Sequence, residues 1–332
     1  TNDGIALIQN VENAGITSLE AANTYTLTDT PVRAGFKIQK HDSLTGLQPQ
    51  GDATDMTTTY NVVNMNDFGV EAHDHDGNVI GEAAGKNDVV YTFTTDTKGY
   101  WESSDNFLPA GSYRIEETAS PGGYLIQGVS TKDFTITEAD NRKALDFTNE
   151  MENEAIRAGF VLQKNDADYG KRVQGDGNLS ATFNLYNRSA NPVVIDKKTY
   201  KKDDCIMTFS TDKDGVYTSA DRLLPYGTYE IVETKSPEGY TSKGVTKHTF
   251  SVREDGKMYD LTAKDIISNT PVTGNFDIIK LTSGAESKFD KPEEGVEFTA
   301  ILDSKIGEGK SFAPCEEAYA AIKAAAVGNE VK

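Results

Sequence analysis

The sequence predicts an all-β fold: antiparallel β-sandwiches in tandem, with one short helix near the C-terminus. Three observations predict it. Short runs of alternating apolar and polar residues recur along the 332-residue chain, and residues i, i+2 and i+4 of a strand share a face. Asp-Gly and Pro-Gly turn signals punctuate those runs. Whole blocks of residues return after about 120 positions, which is a domain length rather than a solenoid period.

Taken in order, the elements read as follows. Asp29-Thr30-Pro31 occupies the place that Asn269-Thr270-Pro271 holds later, so residues 1–30 read as the tail of a preceding unit. A first unit runs over 31–150. It opens on Phe36-Lys37-Ile38-Gln39-Lys40, where alternation turns Phe36, Ile38 and Lys40 to one face and so buries a lysine. A hairpin signal, Asp96-Thr97-Lys98-Gly99, precedes Tyr113-Arg114-Ile115-Glu116-Glu117, which turns Glu117 inward. Leu145-Asp146-Phe147-Thr148-Asn149 closes the unit with Asn149 inward; Asn141 and Asn153 are nearby rivals for that slot. An acidic linker follows, Glu150 to Glu154.

The second unit, 155–271, repeats this order. Phe160-Val161-Leu162-Gln163-Lys164 buries Lys164, Asp212-Lys213-Asp214-Gly215 makes the hairpin, Tyr229-Glu230-Ile231-Val232-Glu233 turns Glu233 inward, and Ile267-Ser268-Asn269 ends on Asn269. Gln50-Gly51-Asp52 and Gln174-Gly175-Asp176 also match. Residues 272–332 restart the pattern at Phe276-Asp277-Ile278-Ile279-Lys280 without a later glutamate or asparagine strand, so this third unit is partial. Pro314 to Ala325 is rich in helix formers, with Ser311 as its cap, and reads as a helical insertion.

Composition excludes several functions. A net charge of −19 leaves no contiguous basic surface for phosphates, so no nucleic-acid partner is expected. No run is long and apolar enough to span a bilayer. Cys205 and Cys315 fall in different units, which argues against a disulfide framework. The four histidines lack metal spacing. Asp74-His75-Asp76-Gly77-Asn78 is closer to a hairpin turn than to a calcium loop, because the distal glutamate is missing. Trp101 and Tyr100 are read as core or rim rather than as a ligand platform. With no leading methionine and no signal peptide, the chain reads as a mature segment of something longer. No metal and no cofactor are expected.

The lysine strand ending in Lys-x-Asp (Lys40-His41-Asp42, Lys164-Asn165-Asp166), the twice-present Glu-Thr-x-Ser-Pro-x-Gly-Tyr (Glu117 to Tyr124, Glu233 to Tyr240) and the closing asparagine strand resemble the collagen-adhesin B-type (Cna B-type, SpaA-like) domains of Gram-positive pilins and surface adhesins. The resemblance covers about 30–271. It implies immunoglobulin-like or prealbumin-like sandwiches, each closed by a spontaneous lysine–asparagine isopeptide bond. Carried over, the cross-linking residues are Lys40 with Asn149 and Lys164 with Asn269, and Glu117 and Glu233 assist. Asp29 and Lys280 are the counterparts in the incomplete end units.

The chemistry needs those residue types. Burial favours a neutral, nucleophilic amine, and a carboxyl kept protonated by the same apolar surroundings polarises the carboxamide. The bland alternative is an ordinary satisfied buried ion pair. The reading is thus a stalk or shaft segment of a bacterial surface protein, extracellular and attached to the cell wall in its full-length form. It is not an enzyme beyond a single self-modifying turnover. Its partners are neighbouring domains of one fibre, and the chain itself is expected to be a monomer. The alternative is an adhesin region that recognises a host protein or glycan.

Overall fold

The computed structural model describes residues 30–175, 177–275, 281–282 and 291–292. It is a β structure throughout these residues, and the helical content among them is the single 3-10 turn Glu138–Asp140. The helix expected at 314–325 lies outside the described residues, as do Asp29 and Lys280. No helix among the described residues is long and apolar enough to cross a membrane.

In the first repeat the lysine strand, Arg33–Asp42, buries Phe36, Ile38, Lys40 and Asp42 and leaves Lys37, Gln39 and His41 half-buried, as period-2 alternation requires. Its sheet is ordered Tyr100–Glu102, Arg33–Asp42, Ala144–Ala155, Tyr124–Val129, and Leu108–Pro109 also pairs with the lysine strand. The second sheet is ordered Thr131–Ile136, Gly111–Ala119, Thr59–Asn64, Val89–Thr94, with the glutamate strand Gly111–Ala119 in its interior. Phe36 sits at the centre of the core, with ring centroids of Phe93, Trp101, Phe107, Phe134 and Phe147 all within 5.9 Å. Trp101 stacks on Phe93 at 3.9 Å and packs against this core.

The second repeat is built alike. Its lysine strand is Arg157–Gln163, extended by Asn165–Asp166 beyond Lys164. Met258–Leu261 runs parallel to the first part, and Ser268–Pro271 runs parallel to the second, with Asp166 opposite Asn269. The other sheet is ordered Cys205–Ser210, Thr182–Asn187, Gly227–Lys235, Lys247–Val252. Phe160 takes the central place, in contact with Phe209, Tyr217 and Phe250. In both repeats a tyrosine hydroxyl donates back to a proline carbonyl at 2.8 Å, Tyr113 to Pro109 and Tyr229 to Pro225, which fixes the entry to each glutamate strand.

One expectation is corrected here. Residues 150–154 are not a linker: the strand Ala144–Ala155 runs straight through them. Met151 and Asn153 are buried, Glu150 and Glu152 are half-buried and Glu154 is exposed. A run of glutamates broken at every second position by an inward residue has strand periodicity, and burial of the alternate residues outweighs the charge. By contacts the chain forms two compact units. Among the described residues, one takes in residues 30–41, Met56–Ser120 and Ile126–Glu152, and the other takes in Asp42–Asp55, Pro121–Leu125 and the described residues from Asn153 onward.

Candidate cross-linking site

Both predicted lysines are fully buried, Lys40 and Lys164 each at 0% exposure. The chain buries them because each stands on the inward face of a strand whose other inward residues, Phe36 and Ile38 or Phe160 and Leu162, are core. Their hairpins help to hold them. The Lys40 N–H donates to the Gly99 carbonyl at 2.8 Å, and the Lys164 N–H donates to Gly215 at 2.7 Å. Gly99 and Gly215 have φ of +80° and +84°, and a Cβ on either would collide with the lysine strand. Glycine is required there for both its conformation and its size. The Asp96 and Asp212 carboxylates are engaged within these turns, accepting the N–H of Tyr100 and Val216. Asp74 does the same for its own turn, accepting from Asp76 and Asn78.

The two repeats hold their buried lysine and glutamate side chains differently. In the first, the Lys40 ammonium pairs with the Glu117 carboxylate at 2.8 Å, and both side chains are wholly enclosed. Burial still pulls the Lys40 pKa below its ordinary value, against the opposing pull of Glu117. Tyr60 lies opposite Glu117 across the sheet, with its ring centroid 6.0 Å from the Lys40 nitrogen. Its hydroxyl is buried without a hydrogen-bond partner. In the second repeat the matching position is Phe183, opposite Glu233.

In the second repeat Lys164 donates to the Asn165 carbonyl at 2.9 Å rather than to a carboxylate. Burial lowers its pKa to about 8, only partly offset by the nearby Glu233 charge. Glu233, half-buried, is pushed the other way by desolvation, toward its protonated form. Asn269, at 0% exposure, donates its Nδ2 to Glu233 Oε2 at 2.9 Å. Glu233 Oε1 and Asn269 Oδ1 are buried and have no partner. Unpaired buried oxygens are costly and uncommon.

Asn149, expected to turn inward at the close of the first repeat, is exposed. The buried asparagine of that strand is Asn153, at 0% exposure. Positions 149 and 153 share a face, so alternation cannot choose between them; pairing register does. The Ser43 N–H donates to the Asn153 carbonyl at 3.0 Å, and in the second repeat the Ala167 N–H donates to Asn269 at 2.9 Å. Ser43 and Ala167 each lie three residues past the lysine, so Asn153 is the positional equivalent of Asn269. Tyr60 also escaped the sequence reading. The only available signal was its alignment with Phe183, an aromatic pair that differs by one hydroxyl.

The SpaA prealbumin-like fold domain matches this chain twice, over residues 59–151 and 158–266. A comparison with curated proteins gives no match. Among solved structures, the Bacillus anthracis TIE protein is similar over 73% of this chain at 20% identity and a TM-score of 0.46, and this chain spans 34% of that one. The shaft pilin SpaA of Lactobacillus rhamnosus GG is similar over 74% of this chain and 100% of its own, at 17% identity and a TM-score of 0.27. A C-terminal fragment of the pilus adhesin SpaC of the same organism is similar over 73% of this chain and 100% of its own, at 16% identity and a TM-score of 0.37. The two family matches cover more than half of the residues, and the chain belongs to the SpaA prealbumin-like fold domain family, as two copies in tandem.

Proposed function

We propose that each repeat closes one internal amide bond between its first and last strands, and that the chain serves as a shaft segment of a Gram-positive surface fibre. The observation that carries this reading is the second repeat's cluster: a buried lysine with a depressed pKa, a carboxyl biased toward its protonated form, and a carboxamide hydrogen-bonded to that carboxyl. The neutral Lys164 amine attacks Asn269 Cγ. A half-turn of the carboxamide exchanges Nδ2 and Oδ1, so that protonated Glu233 donates to the carbonyl oxygen and polarises it. The new Nζ–Cγ bond forms, the Cγ–Nδ2 bond breaks, and Glu233 relays the amine proton to the departing nitrogen, which leaves as ammonia. The product amide is neutral, so the cost of a buried ammonium disappears. In the first repeat the same roles fall to Lys40, Glu117 and Asn153.

The asparagine strand runs parallel to the lysine strand's end in the second repeat. Tension on the N-terminal end of one strand and the C-terminal end of the other would shear them apart, and a covalent tie at that point bears the load instead. We take the domains as 31–155 and 156–271, extracellular and cell-wall attached in the full-length protein, with neighbouring domains of the fibre as partners. Intact mass spectrometry tests the chemistry. The expected mass is lower than that calculated from sequence by two ammonia molecules, and an unshifted mass excludes the cross-links. Glu117→Ala with Glu233→Ala is expected to restore the calculated mass.

A further inference from the structure

The aspartate of the repeated Lys-x-Asp, the glutamine of Gln-Gly-Asp and the tyrosine of Gly-Tyr have no part in the chemistry above, yet they converge. Asp166, two residues past Lys164, is at 0% exposure. Its carboxylate accepts the N–H of Asp168 at 2.7 Å and of Tyr169 at 2.8 Å, the Gln174 side-chain amide at 2.9 Å, and the Tyr240 hydroxyl at 2.9 Å. The Gln174 N–H in turn donates to the Tyr240 oxygen at 3.2 Å. Asp166 backbone groups close a turn with Gly170 in both directions. The first repeat duplicates this with Asp42, Gln50 and Tyr124, all buried. Asp42 accepts from Leu44, Thr45 and the Gln50 amide, and Gln50 N–H donates to the Tyr124 oxygen at 2.9 Å.

We infer that this Asp–Gln–Tyr clasp is a positioning device for cross-linking, which holds the lysine, glutamate and asparagine strands of a repeat in one register. The inference rests on the isopeptide reading above. Each strand reaches the clasp by a short, defined path. Asp166 is two residues from Lys164 and sits opposite Asn269. Tyr240 is seven residues past Glu233 and opposite Pro271, two past Asn269. A carboxylate with this many donors tolerates little displacement, because each donor left unpaired in a buried site is costly. Amide formation has the same intolerance: attack requires contact distance, and a misplacement of about 1 Å costs on the order of 10²-fold in rate. The lysine stands near the end of its strand, where fraying would move the amine. Clasping the chain two residues further on removes that freedom.

The test follows bond formation in the full chain after a pulse of cell-free synthesis, by peptide mass mapping of each repeat over time. In Tyr240→Phe the second repeat is expected to cross-link slower by about tenfold or more, while the first repeat keeps the wild-type rate. Tyr124→Phe is expected to give the reverse. The pH dependence of the slowed rate keeps its wild-type midpoint, because the lysine and glutamate are untouched. A role in stability alone would lower resistance to urea without slowing the bond. Should Tyr240→Phe unfold the second repeat, Gln174→Ala, at a half-buried position, carries the same expectation. Wild-type kinetics in a folded variant overturn the clasp and leave the isopeptide reading standing. Absence of any cross-link in the wild-type chain overturns both.

Discussion

At the scale of single residues, the two lysine sites are alike in composition and different in pairing. Lys40 is held in an ion pair with Glu117, beside the unpartnered Tyr60 hydroxyl, whereas Lys164 faces a backbone carbonyl and Glu233 faces Asn269. Asparagine choice is the sharpest test. Asn153→Ala is expected to add back one ammonia to the intact mass, and Asn149→Ala to leave the mass loss at two; the opposite pattern would return the slot to Asn149. A second expectation concerns pH. In Asn269→Ala the second repeat stays open and Lys164 remains a free amine. Its pKa is lowered from 10.5 to about 8 on folding, so between those values the unfolded chain holds the proton that the folded chain has lost. Stability of this variant should therefore rise with pH across that window. The cross-linked protein should lack the rise, because an amide does not titrate there. Urea unfolding at a series of pH values makes the comparison.

At the scale of elements, the hairpins are the parts that seat the lysines. Gly215 combines a φ of +84° with a position where a Cβ would lie 2.6 Å from the Lys164 carbonyl oxygen and 2.8 Å from Leu179 Cβ. Gly215→Ala should destabilise the second repeat by about 1–2 kcal/mol from the left-handed backbone alone, with the backbone collision adding to it. Measured in the Asn269→Ala background, where no bond masks the loss, a midpoint equal to the parent's would show that the hairpin yields without cost. The turn composition was plain in the sequence, since Asp-x-x-Gly recurs thirteen residues before each proline. The contact between its glycine and the lysine strand was not, because nothing in a turn motif names the strand it lies over.

At the scale of the whole molecule, the proposed cross-links would act on the unfolded chain as well as on the folded one. A Lys164–Asn269 bond would close a loop of about 100 residues; a disulfide closing such a loop is estimated to contribute ~4.7 kcal/mol by restricting the unfolded ensemble. Lys40→Ala with Lys164→Ala is expected to lower the melting temperature and shorten survival in trypsin. Because those changes also leave cavities, Asn153→Ala with Asn269→Ala is the cleaner comparison. Equal melting temperatures and trypsin lifetimes across wild type and both variants would deny the bonds a mechanical role.

The sequence by itself determined the fold class, the two repeats, the inward lysines and glutamates, and the inward position of Asn269. These follow from local periodicity and from self-similarity, both of which are properties of a linear chain. Tertiary structure decided the rest. It buried Asn153 and left Asn149 exposed, because residues two or four apart share a face and only the pairing with a distant strand separates them. It carried the closing strand of the first repeat through an acidic run that reads as a linker, because burial of Met151 and Asn153 depends on what covers them. It gathered the Asp, Gln and Tyr of three separate motifs around one carboxylate, since hydrogen bonds between strands far apart in sequence leave no periodic trace in any one of them.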